Sequence, residues 1–155
     1  NEVEACKANG VKEIIEVKIG YDGIVFASRV DAAIFKLEPV HVFMAQAAQV
    51  PQNGQMVANP FTRWNQIDKA LPDQEILLAI PGSNHGTREV YEEKAVIPGC
   101  QTLAEVKAMD KDASQKFCTA MRTDGRVVEI AGDYTETLAR LQAQLLLAKD
   151  HCRGQ

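Results

Sequence analysis

The residues best suited to chemistry lie in one short stretch, Pro81-Gly-Ser-Asn-His-Gly-Thr-Arg88, between an apolar strand and a helix. The first turn of a helix leaves backbone N–H groups without partners, and the helix dipole makes that end partly positive. A glycine there lets an oxyanion come close to the backbone. Ser83, Asn84 and Thr87 add hydrogen-bond donors, and the Arg88 guanidinium can hold two phosphate oxygens at once. The stretch therefore predicts a site for an anion such as phosphate.

The same pattern also has a purely structural explanation. Serine and asparagine are common helix caps, glycine is common in turns, and an arginine in a first helical turn is usually solvated. The stretch also lacks the Gly-x-x-x-x-Gly-Lys-Ser/Thr spacing of a P-loop. The residue pattern alone leaves the anion site and the structural explanation equally open.

The elements that must position this stretch follow from hydrophobic periodicity and from glycine and proline punctuation. Strands alternate with helices, which predicts an α/β fold in which helices pack on a largely parallel sheet. The predicted strands cover residues 13–20, 24–28, 75–80 and 126–130. The predicted helices cover residues 40–50, 64–68, 87–94, 103–121 and 134–149, with Pro51 ending the first and Pro98-Gly99 the third.

Length and charge limit the class of protein. The chain has 155 residues, which predicts a single domain over residues 1–155, with a formal net charge of -4. An acidic average argues against a broad nucleic-acid or anionic-membrane surface, because both need clustered Lys and Arg. No apolar run approaches a membrane span, and the first residues lack a signal-peptide pattern. We expect either a cytosolic protein or a mature or excised segment.

The cysteines and histidines give weaker indications. Cys100 and Cys118 flank one predicted helix, so a disulfide between them and a pair of buried thiols are both open. A Cys–His nucleophile is disfavoured, because neither cysteine has a local cue for a lowered pKa. The three histidines are too far apart in sequence for a metal-binding motif, and we expect no metal and no cofactor. The histidines are His41, His85 and His151, and the other cysteines are Cys6 and Cys152.

Several segments together resemble a known family. Asn84-His-Gly-Thr-Arg88, followed by Glu89-Val-Tyr-Glu92, resembles the Ser-Gly-Thr-Arg loop and helix of periplasmic phosphate-binding proteins of ABC transporters. Other segments follow the same family order from about residue 11 to residue 141. They are Gly20-Tyr-Asp-Gly-Ile-Val25, Val42-Phe-Met-Ala45, Asn59-Pro-Phe-Thr-Arg-Trp-Asn-Gln-Ile67 and Leu71-Pro72.

The resemblance implies one three-layer lobe, the second, of a type II periplasmic binding protein. Gly86, Thr87 and Arg88 match the family loop, while His85 replaces a serine, so that its N–H stands in for a hydroxyl donor. The first lobe would precede this chain, and residues 142–155 form an atypical helical tail. We therefore expect an excised lobe that binds phosphate weakly. Its uncovered face is a candidate for homodimer formation.

The resemblance implies non-catalytic phosphate binding for ABC-type uptake in the periplasm. The ligand would be inorganic phosphate at Ser83, Asn84, His85, Gly86, Thr87 and Arg88, and the partner an ABC permease. One alternative is a small α/β enzyme that acts on a phosphorylated metabolite and uses His85 as its base. Another is a sensing or adhesive extracellular module that shares the fold without transport.

Overall fold

The computed structural model describes residues 2–21, 23–28, 32–132, 135–136 and 138–139. Most of the predicted helix at residues 134–149, and the whole of the tail at 142–155, lie outside the described residues. The helices are α1 Glu2–Ala8, α2 Pro39–Gln46, α3 Trp64–Ile67, α4 Gly86–Tyr91, a π-helical turn Glu92–Val96, α5 Ile97–Gln101, α6 Ala104–Lys107 and α7 Lys111–Thr119. The strands are β1 Gln49–Gln52, β2 Gln55–Ala58, β3 Leu78–Pro81 and β4 Val127–Ile130.

A parallel pair of strands carries the loop of interest. β3 and β4 pair in parallel, with Leu78 opposite Val127 and Pro81 opposite Ile130. Since parallel strands need a long crossover, the helices between them pack beside the sheet. This arrangement confirms the α/β class and the parallel sheet predicted from the sequence.

The second sheet is an antiparallel hairpin that the sequence prediction missed. The helix predicted over residues 40–50 ends at Gln46, and Val50 and Pro51 instead belong to β1. β1 and β2 pair antiparallel around Asn53-Gly54, whose φ angles are 52° and 77°. Positive φ at both central residues is the requirement of the tight hairpin turn that Asn-Gly favours.

The strands predicted at residues 13–20 and 24–28 are wrong. No helix or strand is assigned within residues 11–21 or 23–28. Ile15 is 80% exposed and Ile19 is 97% exposed, so these β-branched side chains do not enter the core. A strand is stable only beside a partner strand, and no other described segment pairs with this one.

The helix that follows the loop is longer than predicted. Helical backbone continues from Gly86 through Pro98 to Gln101, so Pro98-Gly99 does not end it. The π-helical turn precedes the proline, and the Ile97 N–H bonds to the Glu92 carbonyl five residues back. Proline has no N–H group to donate to a helical hydrogen bond. The wider π-helical turn before Pro98 accommodates this missing bond.

The helix predicted over residues 103–121 is two helices, α6 and α7. Asp110 lies between them, and its carboxylate accepts a bond from the Ala113 N–H at 2.9 Å. This is the N-cap arrangement that starts a helix, so the second helix begins at Lys111.

Two groups of buried side chains hold these elements together. The larger connects α2, β1, β3 and the helices after the loop: Val42, Phe43, Ala47, Val50, Ile80, Tyr91, Val96, Cys100, Val106 and Cys118. The smaller surrounds Trp64 with Ala45, Leu71 and Ile76. Cys100 and Cys118 are paired inside the larger group, with Cα atoms 5.6 Å apart. This pairing fastens α5 to α7.

Candidate functional site

The loop from β3 to α4 is a compact turn held by backbone hydrogen bonds. The Gly82 N–H donates to Ile130 O at 2.9 Å, which extends the β3–β4 pairing into the loop. The His85 N–H donates to Gly82 O at 3.0 Å, and the Arg88 N–H donates to His85 O at 2.9 Å. His85 is thus the N-cap residue, and the helix begins at Gly86. These bonds place the helix start at the carboxyl end of the parallel sheet, where α/β proteins bind ligands.

The two glycines of the loop have opposite surroundings. A Cβ on Gly82 would lie 3.1 Å from Ile130 O and 3.2 Å from Ala131 Cα, so the loop lies tightly against the end of β4. A Cβ on Gly86 would meet no atom within 4 Å. Gly82 is therefore needed for packing, whereas the space beside Gly86 is open.

A shallow cavity of about 390 Å³ opens beside the start of the helix. Gly86, Thr87 and Val90 line one part of it, and Gly23 and Ile24 line another. The first helical turn carries N–H groups without intrahelical acceptors, and its positive dipole end favours anions. The cavity is larger than a tetrahedral oxyanion, so the open space admits one.

Arg88 is directed into the protein. The residue is only 6% exposed, and its Nε donates to Glu92 Oε1 at 2.6 Å. Its Nη1 donates to Pro81 O at 3.0 Å and lies 3.3 Å from Glu129 Oε1. Its Nη2 donates to Met121 Sδ at 3.2 Å. One guanidinium therefore ties the helix to the ends of both parallel strands.

A comparison with protein families identifies the fold. A profile of the PBP superfamily domain matches residues 1–152. The chain belongs to the PBP superfamily. This finding confirms the family resemblance seen in the sequence.

The match to a characterised relative is distant. The PBP domain is 25% identical over 112 residues to Protein SphX of Synechococcus elongatus, an alignment that covers 72% of this chain. The alignment covers 30% of the relative, so the PBP domain corresponds to less than a third of that protein. No solved structure matches significantly.

The other residues predicted to bind the anion lie around the same turn of the PBP domain. Ser83 and Asn84 are exposed, and His85 and Thr87 are half-buried. The His85 Nε2 lies 3.3 Å from Ala131 O. Because a carbonyl only accepts, this contact is a hydrogen bond when Nε2 carries the proton. The structure thus brings the predicted residues into one loop, with only Gly86 and Thr87 lining the cavity.

Sequence reasoning missed the groups that hold Arg88 and the helix. Glu92 follows Arg88 by four residues, the spacing of an ion pair along a helix, and this signal was available in the sequence. Glu129 comes from β4, and no local pattern connects it with Arg88. Tyr91 is buried and its hydroxyl donates to the buried Gln46 of α2. Burial raises the pKa of Tyr91, so it stays neutral as a donor.

A second buried arginine, Arg122, lies between α2 and the segment before α3. Its Nη1 donates to Phe61 O at 2.8 Å and to Ala45 O at 3.3 Å. Its Nε and Nη2 both bond to the Asp124 carboxylate, at 2.9 and 2.6 Å. The Arg122 guanidinium holds the pKa of Asp124 below its ordinary value. Apart from the short Arg-x-Asp spacing, no sequence pattern indicates this cluster.

The described part of the PBP domain contains neither a cluster of metal-ligating side chains nor a helix fit to cross a membrane. No group of three or more His, Cys, Asp or Glu side chains has a metal-binding arrangement there. Among the same residues, none of the helices has the length and apolar character to cross a membrane.

Proposed function

We propose that this PBP domain binds inorganic phosphate without catalysis, as one lobe of a solute-binding protein for ABC-type uptake in the periplasm. The observation that carries the proposal is the start of α4, where Gly86 and Thr87 line an open cavity. Backbone N–H groups at a helix N-terminus favour a bound anion. Membership of the PBP superfamily and the resemblance of the Gly-Thr-Arg motif support phosphate as that anion.

Within the proposed site the residues have different roles. Gly86 and Thr87 are proposed to contact the anion, through backbone N–H groups and the threonine hydroxyl. Ser83 and Asn84 are exposed on the same loop and are proposed as additional donors at its rim. Arg88 is proposed to supply positive charge near the helix start while its present partners hold the helix in place.

The enzyme alternative depends on His85. An enzyme acting on a phosphorylated metabolite would use His85 as its base, because imidazole is the side chain of this loop that commonly serves as a general base. Its Nε2 lies 3.3 Å from Ala131 O, a contact that favours a proton on that nitrogen. The other ring nitrogen, Nδ1, then remains an acceptor, so turnover of a simple phosphate ester that is lost in His85→Gln would favour the enzyme over the binding protein.

The periplasm is proposed from the family and from the buried cysteine pair. Disulfides form and persist in oxidising compartments and are rare in the cytosol. Cys100 and Cys118 are both fully buried and are joined in the structure. Intact-mass analysis of the chain isolated without reductant tests this point. An unmodified pair of thiols in protein taken from the periplasm would contradict it.

The phosphate site can be tested by titrating the chain with inorganic phosphate while recording backbone amide NMR signals. This measurement detects even the weak binding expected from one lobe. We expect the signals of Gly86 and Thr87 to shift most. The variant Gly86→Ala places a methyl group in the open space beside the helix start and is expected to fold normally, because nothing lies within 4 Å.

The second variant is Thr87→Val, which removes one donor and keeps the shape of the side chain. Thr119→Val is its matched control, because Thr119 is also half-buried but its hydroxyl donates to Gln115 O within α7. We expect the double variant of Gly86 and Thr87 to weaken phosphate binding by about tenfold or more, since each lost anion contact costs roughly 1 kcal/mol or more. Unchanged affinity in the double variant would refute the site.

A further inference from the structure

The side chain of His85 is held against the end of the parallel sheet. Its Nε2 lies 3.3 Å from the backbone oxygen of Ala131, the residue that follows β4. A carbonyl oxygen only accepts hydrogen bonds, so the contact is a hydrogen bond when the ring proton is on Nε2. In that neutral ring the other nitrogen, Nδ1, carries no proton and acts as an acceptor.

The Nδ1 acceptor of His85 does not cap the helix. His85 is the N-cap residue of α4, the position from which a side chain commonly accepts an N–H of the first turn. The His85 side chain makes no such bond. In α2, by contrast, the Nδ1 of His41 accepts from the Glu38 N–H at 3.1 Å. The imidazole of His85 thus faces the end of β4 and does not use the N–H groups of the helix start.

This geometry changes the role expected of His85 from the sequence. The resemblance to the family loop implies that the N–H of His85 replaces a serine hydroxyl as a donor to the anion. The contact with Ala131 O instead uses the N–H of the ring, and the ring offers an acceptor. An acceptor beside a bound anion is favourable only when the anion itself carries a proton, because two lone pairs facing each other repel.

Inorganic phosphate and sulfate differ in this respect. Near neutral pH phosphate carries a P–OH group, whereas sulfate is an anion of similar shape without a proton. A site that hydrogen-bonds a hydroxyl of its ligand rejects an analogue that lacks the hydroxyl, because the acceptor is then left unpaired. Residues 81–88 contain no Asp or Glu, so the loop has no carboxylate to act as this acceptor.

We propose that His85 selects phosphate over sulfate by accepting a hydrogen bond from the P–OH group at Nδ1. The proton stays on the phosphate oxygen, so no reaction occurs. Ala131 has a positioning role, because its carbonyl oxygen keeps the ring proton on Nε2. This inference rests on the proposed phosphate site at Gly86 and Thr87 and adds a specificity determinant to it.

The test is NMR titration of the chain with inorganic phosphate and, separately, with sulfate. Both are done at about pH 8, where phosphate and sulfate are mainly dianions and only phosphate carries a proton. The amide signals of Gly86 and Thr87 report binding, and the ring nitrogen signals of His85 report which nitrogen is protonated. We expect the proton on Nε2 in the free chain. Phosphate should shift the Nδ1 signal toward that of a hydrogen-bonded nitrogen, and sulfate should leave the signal in place.

Two substitutions separate the acceptor from the contact with Ala131. His85→Gln places an amide N–H near the position of Nε2 and can keep the bond to Ala131 O, but it leaves no acceptor at the position of Nδ1. His85→Asn places an amide oxygen near the position of Nδ1, where it can accept from the P–OH group. We expect His85→Gln to lower the ratio of phosphate affinity to sulfate affinity by about tenfold, the effect of one hydrogen bond to an ionic ligand. His85→Asn should retain most of the ratio.

The matched control is His41→Gln. His41 is also half-buried and also lies at the start of a helix, where its Nδ1 accepts from the Glu38 N–H. We expect this variant to leave the affinity ratio within about twofold of the starting value, because His41 lies outside the loop from β3 to α4.

Three outcomes would overturn the proposal. One is a ring proton on Nδ1 of His85 in the free chain. Another is an affinity ratio that His85→Gln leaves unchanged although both anions bind, which would refute the role of His85 and keep the site at Gly86 and Thr87. The third is that neither anion shifts the amide signals of Gly86 and Thr87, which would refute the proposed phosphate site itself.

Discussion

The two buried arginines in the part of the chain that the structure describes have nearly equal exposure but different partners. Arg88 is 6% exposed and Arg122 is 7% exposed. Arg88 meets two carboxylates, those of Glu92 and Glu129, whose side chains are 25% and 41% exposed. Arg122 meets one carboxylate, that of Asp124, and bonds to backbone carbonyls from three residues distant in sequence.

The difference indicates that one arginine is fixed and the other is exchangeable. Carbonyls of ordered backbone cannot move away without unfolding, so the environment of Arg122 is permanent. Side-chain carboxylates at the surface can turn to solvent at small cost. Arg88, next to the proposed phosphate loop, bonds to one backbone carbonyl, that of Pro81, and its two carboxylate partners can be exchanged for an incoming anion.

Replacing Arg122 with Ala should have the largest effect on stability. The change leaves buried carbonyls without a donor and removes the partner of Asp124, which should lower the free energy of unfolding by roughly 3–5 kcal/mol. Urea denaturation measures the loss. Arg122→Lys keeps the charge but cannot bond in several directions, so an intermediate loss is expected. If Arg122→Ala lowered the free energy of unfolding by less than Arg88→Ala, the result would contradict the prediction that Arg122 matters more for stability.

Replacing Arg88 with Ala should lower the free energy of unfolding by a smaller amount, roughly 1–3 kcal/mol, because water can hydrate Glu92 and Glu129 afterwards. Arg88→Met separates packing from charge, since it retains most of the apolar volume of the side chain. Phosphate affinity should fall in both variants, whereas Arg122→Lys should leave it unchanged. Equal phosphate affinity in wild type and Arg88→Met would remove Arg88 from the proposed site.

The two carboxylates at Arg88 should contribute unequally. Glu92 is the more buried and bonds at 2.6 Å, whereas Glu129 lies 3.3 Å away and is more exposed. We expect Glu92→Gln to lower stability by about 1 kcal/mol and Glu129→Gln by less than about 0.5 kcal/mol. If these groups compete with an anion, both variants bind phosphate more tightly. Weaker binding in both would show that the carboxylates help the anion.

The last prediction concerns how the stability of the fold depends on pH through the Arg122–Asp124 ion pair. The pKa of Asp124 is lowered in the folded protein, so the unfolded chain takes up the proton first as pH falls. The stabilisation of the fold by ionised Asp124 is complete above the ordinary pKa of 3.8. It is lost as pH falls through the lower pKa of Asp124 in the folded protein. Because Asp124 is largely exposed, the contribution should stay below about 1 kcal/mol. Denaturation of Asp124→Asn should show a larger penalty at pH 7 than at pH 2.5.

The sequence predicted the strands and helices that are bounded by clear local signals. β3, β4, α3 and the helix start at Gly86 were found because apolar runs and breakers mark them. The hairpin was missed although Asn53-Gly54 is a strong turn signal, because the preceding helical period was extended over Val50. The strands predicted at residues 13–20 and 24–28 failed for another reason, since pairing depends on a neighbour that local sequence does not specify.

The sequence indicated the candidate loop but not the contacts that its side chains make. The glycine and hydroxyl pattern indicated the loop, and the structure brings the six predicted residues into one turn. The sequence pattern did not indicate that the guanidinium of Arg88 faces the interior. That orientation depends on Glu129 and Met121, which come from distant parts of the chain. Periodicity places a residue on a helix face, whereas tertiary contacts decide which partners its side chain finds.

The π-helical turn at Glu92–Val96 has a consequence for the phase of the helix. Each residue of an α-helix advances the side-chain direction by about 100°. One extra residue in a turn therefore rotates the side-chain directions of all later residues by that amount. Val96 and Cys100 consequently point to the same side as Arg88 and Tyr91, and all four are buried. Deleting a single residue from the exposed pair Glu93-Lys94 would restore an even winding. Cys100 would then still face Cys118, because the deleted residue is the one that the wide turn absorbs, and the loop at Gly86 would stay intact.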